Sequence, residues 1–331
     1  MGPASLVSSL SNPAIRGYVS ERLARIPAGL PEPLLDIIIV TSTGARELLR
    51  DCLLSLRRFP LTTAAYRVHL TDNASQDGTE EMIRSEFPEV ELVVLPRDRG
   101  FPYANNYWLV RTSAPLALLL NPDTVLTDGA LDRMVEVIQE RPRVAAAGCR
   151  LVLRDGSFDH AAKRSFPTPL AAVAHFTGLA RTFGSSRRLT QYQAPGLGEQ
   201  QAGEVDSVNG AFMLLRREAI EEVGLLDEGY PTPGLEDLDW CYRFKQRGWK
   251  VWYQGAVTIT HVKGGATVEA RRRGRYRSLR HNIAFHRSLG RFYRNCYAGE
   301  RPLVDLAAYL AVGIKFVASV TRSAIARRGF R

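Results

Sequence analysis

From residue 35 onward the chain alternates short apolar runs with stretches of helical periodicity, and nothing else in it constrains the fold as strongly. The string LDIIIV at 35–40 is apolar apart from one Asp, the pattern of a strand buried on both faces. Residues 46–58 follow with Leu48, Leu49, Leu53 and Leu56 at helical spacing. Further strands are expected at 66–70, 90–95, 116–120 and 144–149. Helices are expected from about Asp77, over 104–110, and from Asp128 to Gln139, with Asp77 and Asp128 as N-caps. Strands alternating with helices imply an α/β fold, a mostly parallel sheet with right-handed crossovers. Ligands of such sheets bind beyond the carboxyl ends of the strands. Thr41-Ser42-Thr43, Asp72-Asn73 and Asn121-Pro122-Asp123 all fall at those ends.

After Cys149 the pattern changes. Residues 151–158, centred on Asp155-Gly156, read as a hairpin, and 160–204 have weak periodicity. A strand over 205–215 leads into a helix at 217–223, and a second helix covers 236–246. Strands at 250–253 and 257–260 come next, and 268–297 is helical, basic and aromatic in character. Residues 1–34, rich in Ser, Pro and Leu, read as an N-terminal extension; Met1 to Arg16 lacks the pattern of a signal peptide. The scattered cysteines, Cys52, Cys149, Cys241 and Cys296, suggest reduced, buried thiols.

The formal charge of +10 is segregated. Residues 271–331 hold 15 Lys and Arg against 2 Asp and Glu, a net of +13, which leaves a body of net −3. A basic segment on a slightly acidic body points to an anionic partner: nucleic acid, a membrane surface or a phosphorylated substrate. The run RRRGRYR at 271–277 has no recognised nucleic-acid module beside it, so no nucleic-acid partner is expected. Residues 302–331 read as an amphipathic helix, apolar through Leu306, Ala307, Leu310, Ile314 and Val317. Such a helix can lie in an anionic membrane interface, or pack on the preceding α/β body or on a second copy in a homodimer. No uncharged run of about 18 apolar residues is present, so a spanning helix is not expected.

Four places could carry chemistry. Asp72 is either a turn former or an acceptor for a nucleotide base, and Asp123 either a turn former or an anchor for a divalent ion on a diphosphate. Glu236-Asp237-x-Asp239 is either a helix N-terminus favoured by the dipole or a cleft carboxylate able to take a hydroxyl proton. His261, at a strand end before Lys263-Gly264-Gly265, has no assignable role alone.

Taken together, several segments resemble a family. VTSTGARELLRDCLLSL, LTDNASQDGT, RGFPYANN, LLLNPDTVLTDGAL, VDSVNGAFMLLRREAIEEVGLLDEGY, GLEDLDWCYRFKQRGWKVWY and ITHVKGG occur in the order seen in inverting family 2 glycosyltransferases of GT-A fold. The resemblance is nearest to bacterial rhamnosyltransferase-like members and covers about residues 35–297, with LRDGSFDHAAKRSFPTP and HRSLGRFYRNCY included. It implies a GT-A domain at 35–267, a Rossmann-like sheet flanked by helices, followed by a basic helical region at 268–331. It further implies a donor pocket drawn from Thr41, Asp72, Asn73, Asp98, Asn105, Asn121, Asp123, Asn209 and Gly210, with Asp72 on the base. Asp123 and His261 would hold Mn²⁺ or Mg²⁺, and Asp237 would be the general base with Glu236 beside it. The chain departs from the family pattern in three places. Asn121 stands at the first D-x-D position, Asp98 where Asn is usual, and Tyr103-Ala104 where Gly-Gly is usual.

The implied reaction is a single displacement from a nucleoside-diphosphate sugar, dTDP-rhamnose or alternatively a UDP-hexose such as UDP-galactose or UDP-glucose. The implied acceptor is a lipid-linked or polysaccharide glycan of the cell envelope. The enzyme is expected in the cytoplasm, peripheral on the inner face of the membrane. A non-catalytic nucleotide-sugar-binding subunit is the alternative from another class.

Overall fold

The string LALLL forms β4 (Leu116–Leu120), buried on both faces, because a strand with neighbours on each side and helices above and below meets no water. A computed structural model describes residues 32–166, 196–232, 234–263, 279–299 and 302–328. Most of the expected N-terminal extension, and the basic run at 271–277, lie outside the described residues.

On one side of β4 lies β1 (Leu35–Thr41), then β2 (Tyr66–Asp72) and β3 (Glu91–Val94), all parallel. These four strands are the doubly wound half that the sequence alternation predicts. Between them run α1 (Arg46–Arg58), α2 (Thr79–Glu86) and α3 (Phe101–Leu109). α1 turns Leu49, Cys52, Leu53 and Leu56 into the core, and each such leucine contributes about 2 kcal/mol. On the other side the sheet is mixed. β10 (Phe212–Arg216) runs antiparallel between β4 and β6 (Val144–Val152), and β11 (Lys250–His261) runs parallel to β6. Short β5 (Thr124–Val125) and β8 (Ala202–Val205) pair antiparallel with β11, and β7 (Lys163–Arg164) pairs with β9 (Ser207–Val208) off the main sheet. The described helices of this half are α4 (Ala130–Gln139), α5 (Arg217–Val223) and α6 (Glu236–Gln246).

Several expectations shift. Asp77 and Asp128 are not the N-caps of α2 and α4: Gly78 and Gly129 are, both in the left-handed region. Asp77 serves a turn instead, accepting from Gly44 N at 2.7 Å and Thr79 Oγ1 at 2.6 Å. The single strand expected at 205–215 is broken into the end of β8, β9 and β10, and Asn209 accepts the Ala211 N–H at 2.7 Å and turns the chain between the last two. The two strands expected at 250–260 are one, with an irregularity between Gln254 and Thr258. All four cysteines are free and buried.

Beyond the sheet, α7 (Leu279–Cys296) and α8 (Pro302–Arg328) form a helical pair. α7 packs Leu289, Phe292 and Cys296 against Tyr230, Leu235 and Leu238 of the sheet-bearing body. α8 packs on α7 through Tyr309 on Tyr293 (5.4 Å between rings) and Phe316 on His286 (5.3 Å), and Tyr293 Oη donates to Asp305 at 2.8 Å. No helix of the described residues is long and apolar enough to cross a membrane.

Candidate active site

The carboxyl ends of β1 and β2 form the first wall. Register pairs Thr41 with Asp72, and Asn73 N donates to Thr41 O at 2.9 Å. Thr41 Oγ1 is buried with no hydrogen-bond partner among the described residues. Asp72 is engaged locally: its two carboxylate oxygens accept from Ser75 N (2.7 Å) and Ser75 Oγ (2.6 Å). The turn-forming reading of Asp72 therefore holds, and each oxygen keeps a second lone pair for a ligand. Asn73 reaches across to the loop before α3, donating to Asp98 Oδ1 at 2.5 Å and accepting from Arg99 N at 2.8 Å. Asp98, in place of the usual Asn, thus clasps two loops together. Asn105 turns back on its own helix, donating to Phe101 O at 2.9 Å. No hydrogen bond joins the Asn105 side chain to the other candidate residues among those described.

The second wall is built by β5 and β11. Their pairing sets His261 opposite Thr124, and Val262 N donates to Asp123 O at 2.8 Å. His261 Nε2 lies 3.3 Å from Asp123 Oδ1, an oxygen that is buried and lacks a well-formed hydrogen bond. His261 Nδ1 lies 2.9 Å from Asp159 Oδ2, and Asp159 Oδ1 accepts from Lys263 Nζ at 2.6 Å. Burial opposes charge on His261, but the carboxylates of Asp123 and Asp159 beside the ring outweigh it and hold the imidazolium up to about 9. Burial likewise opposes ionisation of Asp159, but His261 and Lys263 hold its carboxyl well below the usual carboxylate range. Among the described residues no three His, Cys, Asp or Glu side chains form a metal cage. Asp123 and His261 nevertheless fit a hard divalent ion completed by substrate phosphates, which asks for one or two protein ligands of this chemistry, provided that the ion displaces the proton from His261 Nε2. Asp159 stands where the outer carboxylate of a metal-bound histidine stands.

The third wall is the N-terminus of α6. Asp237 is buried, and Arg164 Nη2 donates to its Oδ2 at 2.6 Å, joined by Gly210 N at 3.2 Å; Leu238 N donates to Oδ1 at 2.7 Å. Arg164 is fixed in turn by Gly234 O and Val208 O, both at 3.1 Å. Glu236 accepts from Gly234 N (2.7 Å) and Leu235 N (3.0 Å). Burial first, then the neighbouring Asp237 charge, push its carboxyl up to about 8, so Glu236 holds a proton near neutral pH. Asp239, two residues on and so on the far side of the helix, accepts from Tyr230 Oη, Arg243 Nε and Asn295 Nδ2, tying α6 to α7.

One turn joins the second and third walls. Asn121 N donates to Ala211 O at 3.0 Å, and Gly210, the residue before, donates to Asp237. The Asn121–Asp123 loop and Asp237 therefore flank Asn209-Gly210-Ala211. Sequence reading missed Arg164 and Asp159. Both lie in the quoted string LRDGSFDHAAKRSFPTP, but no local spacing marks either as the partner of a residue far along the chain.

Residues 36–280, about three quarters of the chain, match the profile described as glycosyltransferase like family 2. The chain is 27% identical over 215 residues to the N-acetylglucosaminyl-diphospho-decaprenol L-rhamnosyltransferase of Mycobacterium tuberculosis, covering 60% of this chain and 67% of that protein. It is 29% identical over 230 residues to the O-antigen biosynthesis protein RfbC of Myxococcus xanthus, covering 68% of this chain but only 17% of that protein. Among solved structures, the mannosyltransferase PcManGT of Pyrobaculum calidifontis, in complex with GDP-Man and Mn²⁺, aligns at a TM-score of 0.54 and 18% identity, over 98% of this chain and 87% of that one. GalNAc-T7 with UDP, GalNAc and Mn²⁺ aligns at 0.53 and 14% identity, over 72% of this chain and 45% of that one. Likeness at such low identity shows the fold, which is GT-A.

Proposed function

The chain belongs to glycosyltransferase family 2 and is a glycosyltransferase, and from that premise we propose that it is an inverting, metal-dependent enzyme transferring L-rhamnose from dTDP-rhamnose to a lipid-linked or polysaccharide acceptor of the cell envelope. The observation that carries the reading is the turn at Asn209-Gly210-Ala211. It sets the Asn-Pro-Asp loop on one side and the anchored Asp237 on the other. A donor diphosphate and an acceptor hydroxyl need such opposed poles for attack from the far face of the sugar. Rhamnose is favoured by the likeness to a protein named an L-rhamnosyltransferase.

In this reading Thr41, Asp72, Asn73 and Asp98 shape the nucleotide pocket, and Asp123 and His261 hold the divalent ion. Mn²⁺ or Mg²⁺ held by those two side chains would supply positive charge against the leaving diphosphate. Asp237 takes the acceptor proton through Oδ1, since Oδ2 already receives the Arg164 and Gly210 donors. The acceptor oxygen forms the new bond to the anomeric carbon, and the electron pair of the broken bond leaves on the diphosphate oxygen. Proximity and a proton transfer late in bond formation supply the drive. Glu236, holding its own proton, leaves a single negative charge at the base. Donor and lipid-linked acceptor would meet at the cytoplasmic face of the membrane.

A donor panel tests the assignment: dTDP-rhamnose, UDP-galactose and UDP-glucose, each with Mn²⁺ or Mg²⁺ and a membrane lipid extract, with the product identified by mass. A deoxyhexose added to a polyprenyl-linked glycan is the expected result. Consumption of a UDP-hexose with dTDP-rhamnose untouched overturns the rhamnose assignment, and turnover undiminished by a chelator overturns the metal.

A further inference from the structure

The apolar stripe that the sequence assigns to the C-terminal helix points away from the protein. Leu303, Leu306, Leu310, Ile314 and Val317 expose between 57% and 83% of their surface. At about 100° per residue they share one face, and at about 1.5 Å per residue the stripe runs about 21 Å. The opposite face, with Asp305, Ala308 and Phe316, is the one on α7. α8 is thus apolar on two sides, with one side covered and the other bare. A stripe of this length is unusual on a soluble surface and marks a contact.

Charge decides what covers it. The segment 271–331 carries a net +13, and basic residues bracket the stripe in sequence: Arg301 before it, and Arg322, Arg327, Arg328 and Arg331 after it. Two copies meeting through this segment would bring like charges together, whereas an anionic lipid surface offers both an apolar layer and opposite charge. With no helix among the described residues apolar and long enough to span, α8 would lie on the bilayer rather than cross it. We propose that the outward face of α8 docks on an anionic lipid surface. Docking there also fixes the catalytic body. α8 rests on α7, and α7 packs Leu289 and Phe292 against Tyr230, Leu235 and Leu238, the last on the helix whose first turn carries Asp237.

The surface does not depend on the donor or on the identity of the base, so the two readings fail separately. Full-length protein is sedimented with phosphatidylcholine vesicles and with vesicles that also contain phosphatidylglycerol. Wild type is expected to pellet with the anionic vesicles only, and less at high salt. The triple variant Leu306→Glu/Leu310→Glu/Ile314→Glu is expected to lose about tenfold or more of that binding while keeping donor hydrolysis and its circular dichroism spectrum. Because these side chains are already in water, the substitutions leave folding intact, and Leu310→Glu alone gives a milder check. Equal pelleting of wild type and triple variant overturns the proposal. So does a wild type that ignores anionic vesicles. A dimer by light scattering that falls to monomer in the triple variant, without vesicle binding, assigns the face to a second copy instead.

Discussion

At the scale of single residues, the site separates charges that look interchangeable in the string Glu236-Asp237-x-Asp239. Asp237 is clamped by Arg164, Glu236 keeps a proton, and Asp239 is bound to α7. Replacing Arg164 by Met leaves a buried carboxylate unpaired, at a cost of about 3–5 kcal/mol. The expected result is a lower melting temperature and a kcat down by about 100-fold or more, with donor KM little changed and partial recovery in Arg164→Lys. A KM effect with kcat intact would separate Arg164 from the base. Asp159→Asn is expected to weaken Mn²⁺ binding by about 10- to 100-fold in calorimetry, since an outer carboxylate sets the tautomer of a ligating histidine. Unchanged affinity would place the ion elsewhere. Glu236 makes a prediction about pH. Its folded carboxyl is raised to about 8 from 4.5, so the folded chain keeps a proton that the unfolded chain has lost. Stability from this group is therefore lost as pH rises through that window, each unit being worth about 1.4 kcal/mol at full titration. Melting curves across the window should slope downward in the wild type and less so in Glu236→Gln; parallel slopes would remove Glu236 as the cause.

At the scale of elements, most of the architecture was legible. Residues 217–223 and 236–246 were expected as helices, and α5 and α6 run over those residues. α1 follows its leucine spacing, and Thr41, Asp72 and Asn121 sit at the strand ends where the alternation put them. The break between β9 and β10 was written in the Asn209-Gly210 dipeptide, a turn signal that the apolar residues on either side overrode in the reading of one strand. That turn depends on a close approach elsewhere. A Cβ at Gly148 on β6 would lie 2.7 Å from Val208 Cβ on β9, inside any real contact. Gly148→Ala is expected to cost about 1–3 kcal/mol by overpacking and to lower kcat through displacement of Asn209-Gly210. A stable variant of full activity would show that β9 can move without disturbing the cleft.

At the scale of the whole molecule, the excess positive charge belongs to the C-terminal segment and the body stays slightly acidic. On the proposed reading, a diphosphate site in such a body would rely on a local cation rather than on net charge. Rising ionic strength is then expected to release the protein from anionic vesicles while leaving donor KM close to constant, because surface attraction is screened over about 10 Å and a coordinated ion is not. A donor KM that climbs with salt as steeply as vesicle binding falls would mean that the diphosphate is held by exposed basic side chains.

Periodicity and composition alone determined the α/β alternation, the polar strand ends and the segregation of charge, because each is written in neighbours a few residues apart. The family could be read from motifs in order for the same reason. Only the tertiary structure decided that Arg164 meets Asp237 across 73 residues and Asp159 meets His261 across 102. It also decided which apolar face of α8 is covered and which is bare. Such pairings arise where distant segments are packed together, and burial there makes an unpartnered charge costly enough to enforce the match. Local sequence carries no record of that distance.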